Sequence, residues 1–147
     1  MEKGQTGVER RDETNKMVSK LVEERDRLWR LYCGVAGMEP FSAETPIENR
    51  VQEFCQSMVD YLALSHFGIY QRIASGQERR QKVVRIAETL YPAISKATEA
   101  AVGFNDKYED MSRDDMLASL SEDLSHLGEQ MALRNDLEDH LLEIMTT

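Results

Sequence analysis

VQEFCQSMVDYLALSHFGIYQRI, residues 51–73, is the stretch that decides the fold. At helical spacing Val51, Cys55, Met58, Leu62, Ile69 and Ile73 form a continuous apolar row. Phe54 and Tyr61 widen that row on one side, and Val59 with Tyr70 widen it on the other. A helix this apolar around its circumference belongs inside a bundle. The same helix holds Asp60, His66 and Arg72, polar groups that need partners or water. Periodicity therefore gives the central helix of an all-α domain.

Upstream, Thr45-Pro46-Ile47-Glu48 offers a threonine N-cap, a proline at the first helical position and a glutamate to close a capping box. The central helix is predicted over residues 46–74, with Ser75-Gly76 ending it. A first helix over residues 12–35 places Met17, Val18, Leu21, Leu28, Leu31, Tyr32 and Val35 inward. Glu23, Glu24, Arg25, Asp26 and Arg27 form its charged face, and Gly37-Met38-Glu39-Pro40 stops it. The first ten or so residues are expected to be loose.

Downstream, a helix over residues 77–90 turns Val83, Val84, Ile86, Ala87 and Leu90 inward. Pro92 breaks or kinks it, and a further piece runs over residues 92–104. Residues 103–112 form a connector, and Ser112-Arg113-Asp114-Asp115 resembles a capped start. In the closing helix Leu117, Leu120, Leu124, Leu127 and Met131 share one face. Leu133, Leu137, Leu141 and Ile144 share another, so the helix either kinks near Gly128 or changes neighbours along its length. The expected architecture is a single domain over residues 1–147: an elongated antiparallel helical bundle around a long central helix.

Composition agrees with this reading. The 147 residues are long enough for an independent core. Only three prolines and eight glycines interrupt a chain rich in helix formers, with no alternation that would demand a sheet. No apolar segment approaches the roughly 20 residues that span a bilayer. The opening MEKGQTGVERRDE has no apolar core of a secretory signal. Cys33 and Cys55 lack metal or redox spacing and read as reduced core thiols, which places the protein in the cytoplasm.

Net charge is −9, and its distribution is uneven. Residues 1–104 hold 15 acidic and 15 basic side chains, whereas residues 105–147 hold 12 acidic against three basic. Such a flank repels nucleic acid and attracts a basic partner, most strongly at low salt.

Catalytic constellations are missing. A di-iron bundle needs paired Glu-x-x-His motifs and two further carboxylates, whereas Asp123-x-x-His126 and Asp136-x-x-x-His140 lie on an acidic, exposed surface. Cys55 and His66 are three helical turns apart, too far to form a nucleophile–base pair along one helix. Glycine-rich phosphate loops are absent, and the basic group Arg79, Arg80, Lys82 and Arg85 reads as a solvated face. The polar set of the central helix has two open readings, a buried network that fixes helix register or a contact surface.

The words of the central helix go further. Phe54-Cys55-Gln56-Ser57, Val59-Asp60-Tyr61-Leu62, His66-Phe67, Ile69-Tyr70 and Arg72-Ile73 resemble the signature of the regulator of sigma D (Rsd/AlgQ) family of bacterial anti-sigma factors. The likeness continues at Lys16, Val18, Arg25, Leu28, Tyr32, Gly37 and Pro40. Towards the end it takes in Leu124-Ser125, Leu127-Gly128-Glu129, Leu133-Arg134 and Asp136-Leu137-Glu138-Asp139. The chain departs from the family pattern at Leu21, a position commonly aromatic, and relatives can extend further past the closing helix.

The resemblance implies a stoichiometric protein inhibitor, with no enzymatic activity, cofactor, metal or membrane. Its partner would be region 4 of the primary sigma factor, the helix-turn-helix unit that reads the −35 promoter element, and no nucleic acid would be bound directly. With that sigma sequestered from RNA polymerase, alternative sigma factors compete better. Asp60, Tyr61, His66, Phe67 and Tyr70 are the expected partner contacts, with the acidic groups of the last helix as a charge-based supplement. A helical adaptor for another basic regulatory protein is the alternative reading, and a helical-bundle metalloenzyme a further one.

Overall fold

The computed structural model describes residues 7–74, 76 and 78–146; the expectation of a loose start lies, for residues 1–6, outside them. Four long helices carry the fold: α1 (Gly7–Ala36), α2 (Glu48–Ser65), α4 (Gln81–Tyr108) and α5 (Arg113–Met145). Between α2 and α4, a π-helical turn over His66–Tyr70 leads into one last α-helical turn, α3 (Gln71–Ala74). No strand occurs among the described residues, so the all-α expectation holds. No helix of the described residues is long and apolar enough to cross a membrane.

Chain direction alternates up, down, up, down. Met17 of α1 lies against Gly68 of the π-turn while Tyr32 meets Phe54, so α1 and α2 are antiparallel. Tyr70 meets Tyr91 while Phe54 meets Phe104, which makes α2 and α4 antiparallel. Thr98 meets Arg134 and Lys107 meets Asp123, which sets α5 against α4 in the same way. One pole of the bundle therefore gathers the turn after α1 and the turn between α4 and α5. The opposite pole gathers the π-turn and the start of α4.

An aromatic ladder holds the half of the bundle near the first pole. Trp29 and Tyr32, Tyr32 and Phe54, and Phe54 and Phe104 pack edge-to-face at centroid distances of 5.2, 5.9 and 5.9 Å. Phe104 then stacks on Tyr108 at 4.4 Å. These contacts cross three helices and contribute specific ring geometry beyond buried area.

Several boundaries differ from the sequence expectation. Helix α1 starts at Gly7, five residues before the expected position 12. The capping box at Thr45 does not form. Ile47 is the N-cap, with no side-chain bond, and the Thr45 hydroxyl instead accepts from the Ser42 backbone N–H at 3.0 Å, which closes the preceding loop. Helix α4 passes through Pro92 unbroken and runs on to Tyr108. Pro92 is exposed, so the carbonyl that loses its donor can turn to water. The Ser112 cap does form, with its hydroxyl accepting from the Asp115 N–H at 3.3 Å. Gly76 ends the α3 turn in the left-handed region at φ 80°, which favours glycine.

Helix α5 is continuous over Arg113–Met145, and one buried row runs along its whole length. That row comprises Met116, Leu120, Leu124, Leu127, Met131, Arg134, Glu138, Leu141 and Met145, in steps of three and four residues. The apparent rotation in the sequence arises because two members of the row are charged. Leu133, assigned to the second apolar face, is 48% exposed. Helix α1 behaves alike: Thr14, Leu21, Arg25, Leu28 and Val35 point inward, so Arg25 leaves the expected charged face. Cys55 is buried, and burial pushes its thiol up to about 12; Cys33 is exposed, not part of the core. Both cysteines are free.

Gly128 has a specific task. A Cβ there would sit 2.2 Å from the Tyr32 hydroxyl, which instead reaches past it to donate to the Leu124 carbonyl at 2.9 Å. Gly128→Ala is therefore expected to destabilise the protein by about 1–3 kcal/mol through overpacking. In urea unfolding, truncating Tyr32 in the same chain should remove most of that penalty. An unchanged midpoint for Gly128→Ala alone would contradict the close approach.

Candidate functional site

The half of the bundle nearer the π-turn is held by charge. Glu138 of α5 has no exposed surface, and both its oxygens are engaged. Oε1 accepts from Arg25 Nη2 at 2.7 Å and from the Tyr61 hydroxyl; Oε2 accepts from Ser65 at 2.6 Å and from Arg134 Nη1 at 2.9 Å. Arg134, one turn earlier and 2% exposed, also donates to the Tyr61 and Ser65 hydroxyls at 3.1 and 3.0 Å. Its Nε donates to Thr98 of α4 at 2.9 Å. Arg25 completes the set by donating to Asp139. One cluster thus ties all four long helices together.

Titration follows from this geometry. Burial alone would raise the Glu138 pKa; the Arg134 charge, with hydrogen bonds from Ser65, Tyr61 and Arg25, outweighs it and holds the carboxyl below its ordinary range. Burial, then the Glu138 charge, push the Tyr61 phenol up, so it stays a neutral donor. Except for Arg25 Nε, which is buried without a hydrogen-bond partner, the polar groups of the cluster are paired, as a structural network requires.

The five expected contact residues divide between inside and outside. Tyr61 is fully buried in the cluster and Tyr70 is 8% exposed, so these two of the five lie mainly inside the bundle. Asp60 is exposed and, among the described residues, accepts only from Gln56, at 3.0 Å. His66 and Phe67 are exposed, Phe67 at 65%, and pack edge-to-face at 5.0 Å. Val59, expected among the apolar row, is 39% exposed beside Asp60. Of the two readings left open by the sequence, the buried network takes Tyr61, and the surface takes Asp60 and His66.

The π-turn makes this division possible. Gln71 N–H bonds the His66 carbonyl five residues back, one residue wider than an α-turn. In an unbroken α-helix Tyr70 would lie about 140° around from buried Ser65. The extra residue swings Ile69 and Tyr70 into the core while His66 and Phe67 stay outside. Gly68 lets the turn approach α1, since a Cβ there would meet Met17 Cγ at 3.0 Å.

Sequence reasoning missed Arg25, Ser65, Arg134 and Glu138. The signal was present: extending the row of α5 by three- and four-residue steps lands on Arg134 and Glu138, and the same steps along α1 land on Arg25. Counting only apolar residues skipped them.

The acidic flank is largely available. Glu138 is consumed internally, Asp139 pairs with Arg25, and Asp123 pairs with Lys107 at 2.6 Å and accepts from Tyr108. Asp106, Glu109, Asp110, Asp114 and Asp115 are exposed around the α4–α5 turn without an ion-pair partner among the described residues; the same holds for Glu122, Glu129 and Asp136 along α5. No group of three or more His, Cys, Asp or Glu positioned to hold a metal occurs among the described residues.

The resemblance carried by the words of the central helix agrees with what comparison with known proteins finds. The model of a family described as "Regulator of RNA polymerase sigma(70) subunit, Rsd/AlgQ" matches residues 1–146. The chain belongs to the Rsd/AlgQ family. Among curated relatives, "Regulator of sigma D" of Yersinia enterocolitica is 31% identical over 134 residues, covering 88% of this chain and 80% of the relative. The protein of the same name in Shigella dysenteriae is 31% identical over 133 residues, covering 88% and 83%. No solved structure matches.

Glu138→Gln leaves buried Arg134 without its counter-charge and Arg25 with Asp139 alone, and is expected to destabilise the fold by about 3–5 kcal/mol. Because folding lowers the Glu138 pKa, its stabilisation is complete above the ordinary carboxylate range, near about pH 4, and is lost as pH falls through the folded-state value. Melting curves against pH should therefore fall more steeply on the acid side for the wild type than for Glu138→Gln. Parallel acid limbs would contradict the assignment.

Proposed function

We propose that this Rsd/AlgQ protein is a cytoplasmic anti-sigma factor that binds region 4 of the primary sigma factor, limits its use by RNA polymerase and so favours alternative sigma factors. The observation that supports this most is the division of the signature helix. Tyr61 and Ser65 face the charged core, while Asp60, His66 and Phe67 stand on the surface beside exposed Val59. Exposed aromatic and branched apolar groups around an exposed carboxylate suit a protein partner better than a small molecule.

The acidic pole adds attraction at a distance. It lies at the opposite end of α2 from Phe67, on the order of 25–30 Å away at 1.5 Å per residue. Steering of a basic partner does not require contact at that pole, and it weakens with salt. Sigma region 4 is basic where it meets the promoter, so the two surfaces are complementary in sign. Occupying that unit with protein denies it to DNA without any chemical step.

Binding to isolated region 4 should be equimolar and weaken as salt rises. Asp60→Asn should reduce affinity by about three- to tenfold, the worth of one interfacial charge contact, with the melting temperature unchanged because Asp60 is exposed and its hydrogen bond, from Gln56, is at the surface. Calorimetric titration with parallel melting curves checks both. A wild type that does not bind region 4 removes the proposal, and salt-independent affinity removes its electrostatic part.

A further inference from the structure

A groove of about 470 Å³ opens between the π-turn with α3 on one side and the start of α4 on the other. Ile73 and Val84 form part of its apolar wall, the Tyr70 and Tyr91 rings meet across it at 6.0 Å, and His66 and Glu88 supply its ionisable groups. Tyr91 is 50% exposed, a large ring left at the surface with its edge against Tyr70. Glu88 is exposed and has neither hydrogen-bond nor ion-pair partner among the described residues. The groove shares His66 with the exposed edge of the signature helix, so a partner seated on Asp60 and Phe67 reaches it without a second docking event.

We infer that this groove receives an arginine or lysine side chain from a helix of the basic partner, with the aliphatic stem on the apolar wall, the cation against the Tyr91 ring and its charge paired with Glu88. The inference rests on the sigma-binding reading and names a contact of that same interface outside the signature helix. Three features of one cavity agree on this occupant. Aromatic rings attract a cation through their negative faces, an unengaged carboxylate supplies the counter-charge, and an apolar wall covers the long methylene stem. An acidic segment would meet the free Glu88 carboxylate and be repelled. A wholly apolar side chain would leave that carboxylate desolvated without a partner. Arginine fits best, because its planar guanidinium stacks on a ring while bonding a carboxylate edge-on.

The test is titration of the full-length protein with isolated sigma region 4, comparing wild type with Tyr91→Ala, Tyr91→Phe and Glu88→Gln at low and moderate salt. Tyr91→Ala is expected to weaken binding about tenfold and Tyr91→Phe by less than about twofold, because the ring and not the hydroxyl makes the contact. Glu88→Gln is expected to weaken binding about fivefold and to flatten the salt dependence. Melting temperatures should stay level, since both side chains are exposed; if Tyr91→Ala melts early, Glu88→Gln decides. Wild-type affinity in both Tyr91→Ala and Glu88→Gln overturns the groove while leaving the sigma reading in place. A wild type that fails to bind region 4 overturns that reading and the groove with it.

Discussion

A carboxylate with no exposed surface, at the centre of a helical bundle, survives only if the cost of removing it from water is offset at every lone pair. Glu138 meets that requirement with three donors from two other helices and one from its own. Such a cluster adds little net stability compared with a well-packed apolar core. Its contribution is specificity: slipping α1 or α2 by one turn against α5 would break the Arg25, Tyr61 and Ser65 bonds to Glu138 and leave the Arg134–Glu138 pair within α5 underpartnered in the interior. The aromatic ladder from Trp29 to Tyr108 holds the other half by area and ring geometry, which tolerate small shifts. Register is therefore set at the charged end, where the signature helix also shows its outer edge.

That coincidence links the fold to the proposed interaction surface. Tyr61 and Ser65 are fixed by Glu138 and Arg134, and the residues on either side of them, Asp60 and His66, are thereby aimed outward. The π-turn then buries Ile69 and Tyr70 without recruiting Phe67. A rigid inner face and a displayed outer face belong to the same five turns of helix. Binding a partner on such a surface costs little ordering of the protein itself, which favours affinity.

The sequence made the all-α architecture legible because the apolar rows of the first and central helices have an unmistakable period. The signature words made the family legible, since their order along one helix is far more specific than any composition. What stayed hidden has physical causes. Arg25, Arg134 and Glu138 occupy core positions with charged side chains, so hydropathy placed the first on the solvent side and took the closing helix for two faces. Pro92 looked like a break, yet an exposed proline in a long amphipathic helix loses one hydrogen bond and keeps its packing. Thr45 looked like a cap, but its hydroxyl was already committed to Ser42. The π-turn has no signature in periodicity at all. Within the expected contact set, spacing could not distinguish inward Tyr61 and Tyr70 from outward Asp60, His66 and Phe67, because a helix this apolar has no clean polar side.

The central claim is that a bundle locked in register by Glu138 offers sigma region 4 the outer edge of the signature helix and leaves its own interior undisturbed. Side-chain NMR of the protein during titration with region 4 tests it most directly. The account predicts shifts at Val59, Phe67 and the neighbouring α4 ring, with the Tyr61 ring and the methyl groups of Leu124 and Leu141 unmoved. Shifts that run through the Tyr61 ring and those core methyl groups, or that gather on the α1–α5 side while Phe67 stays still, would contradict it.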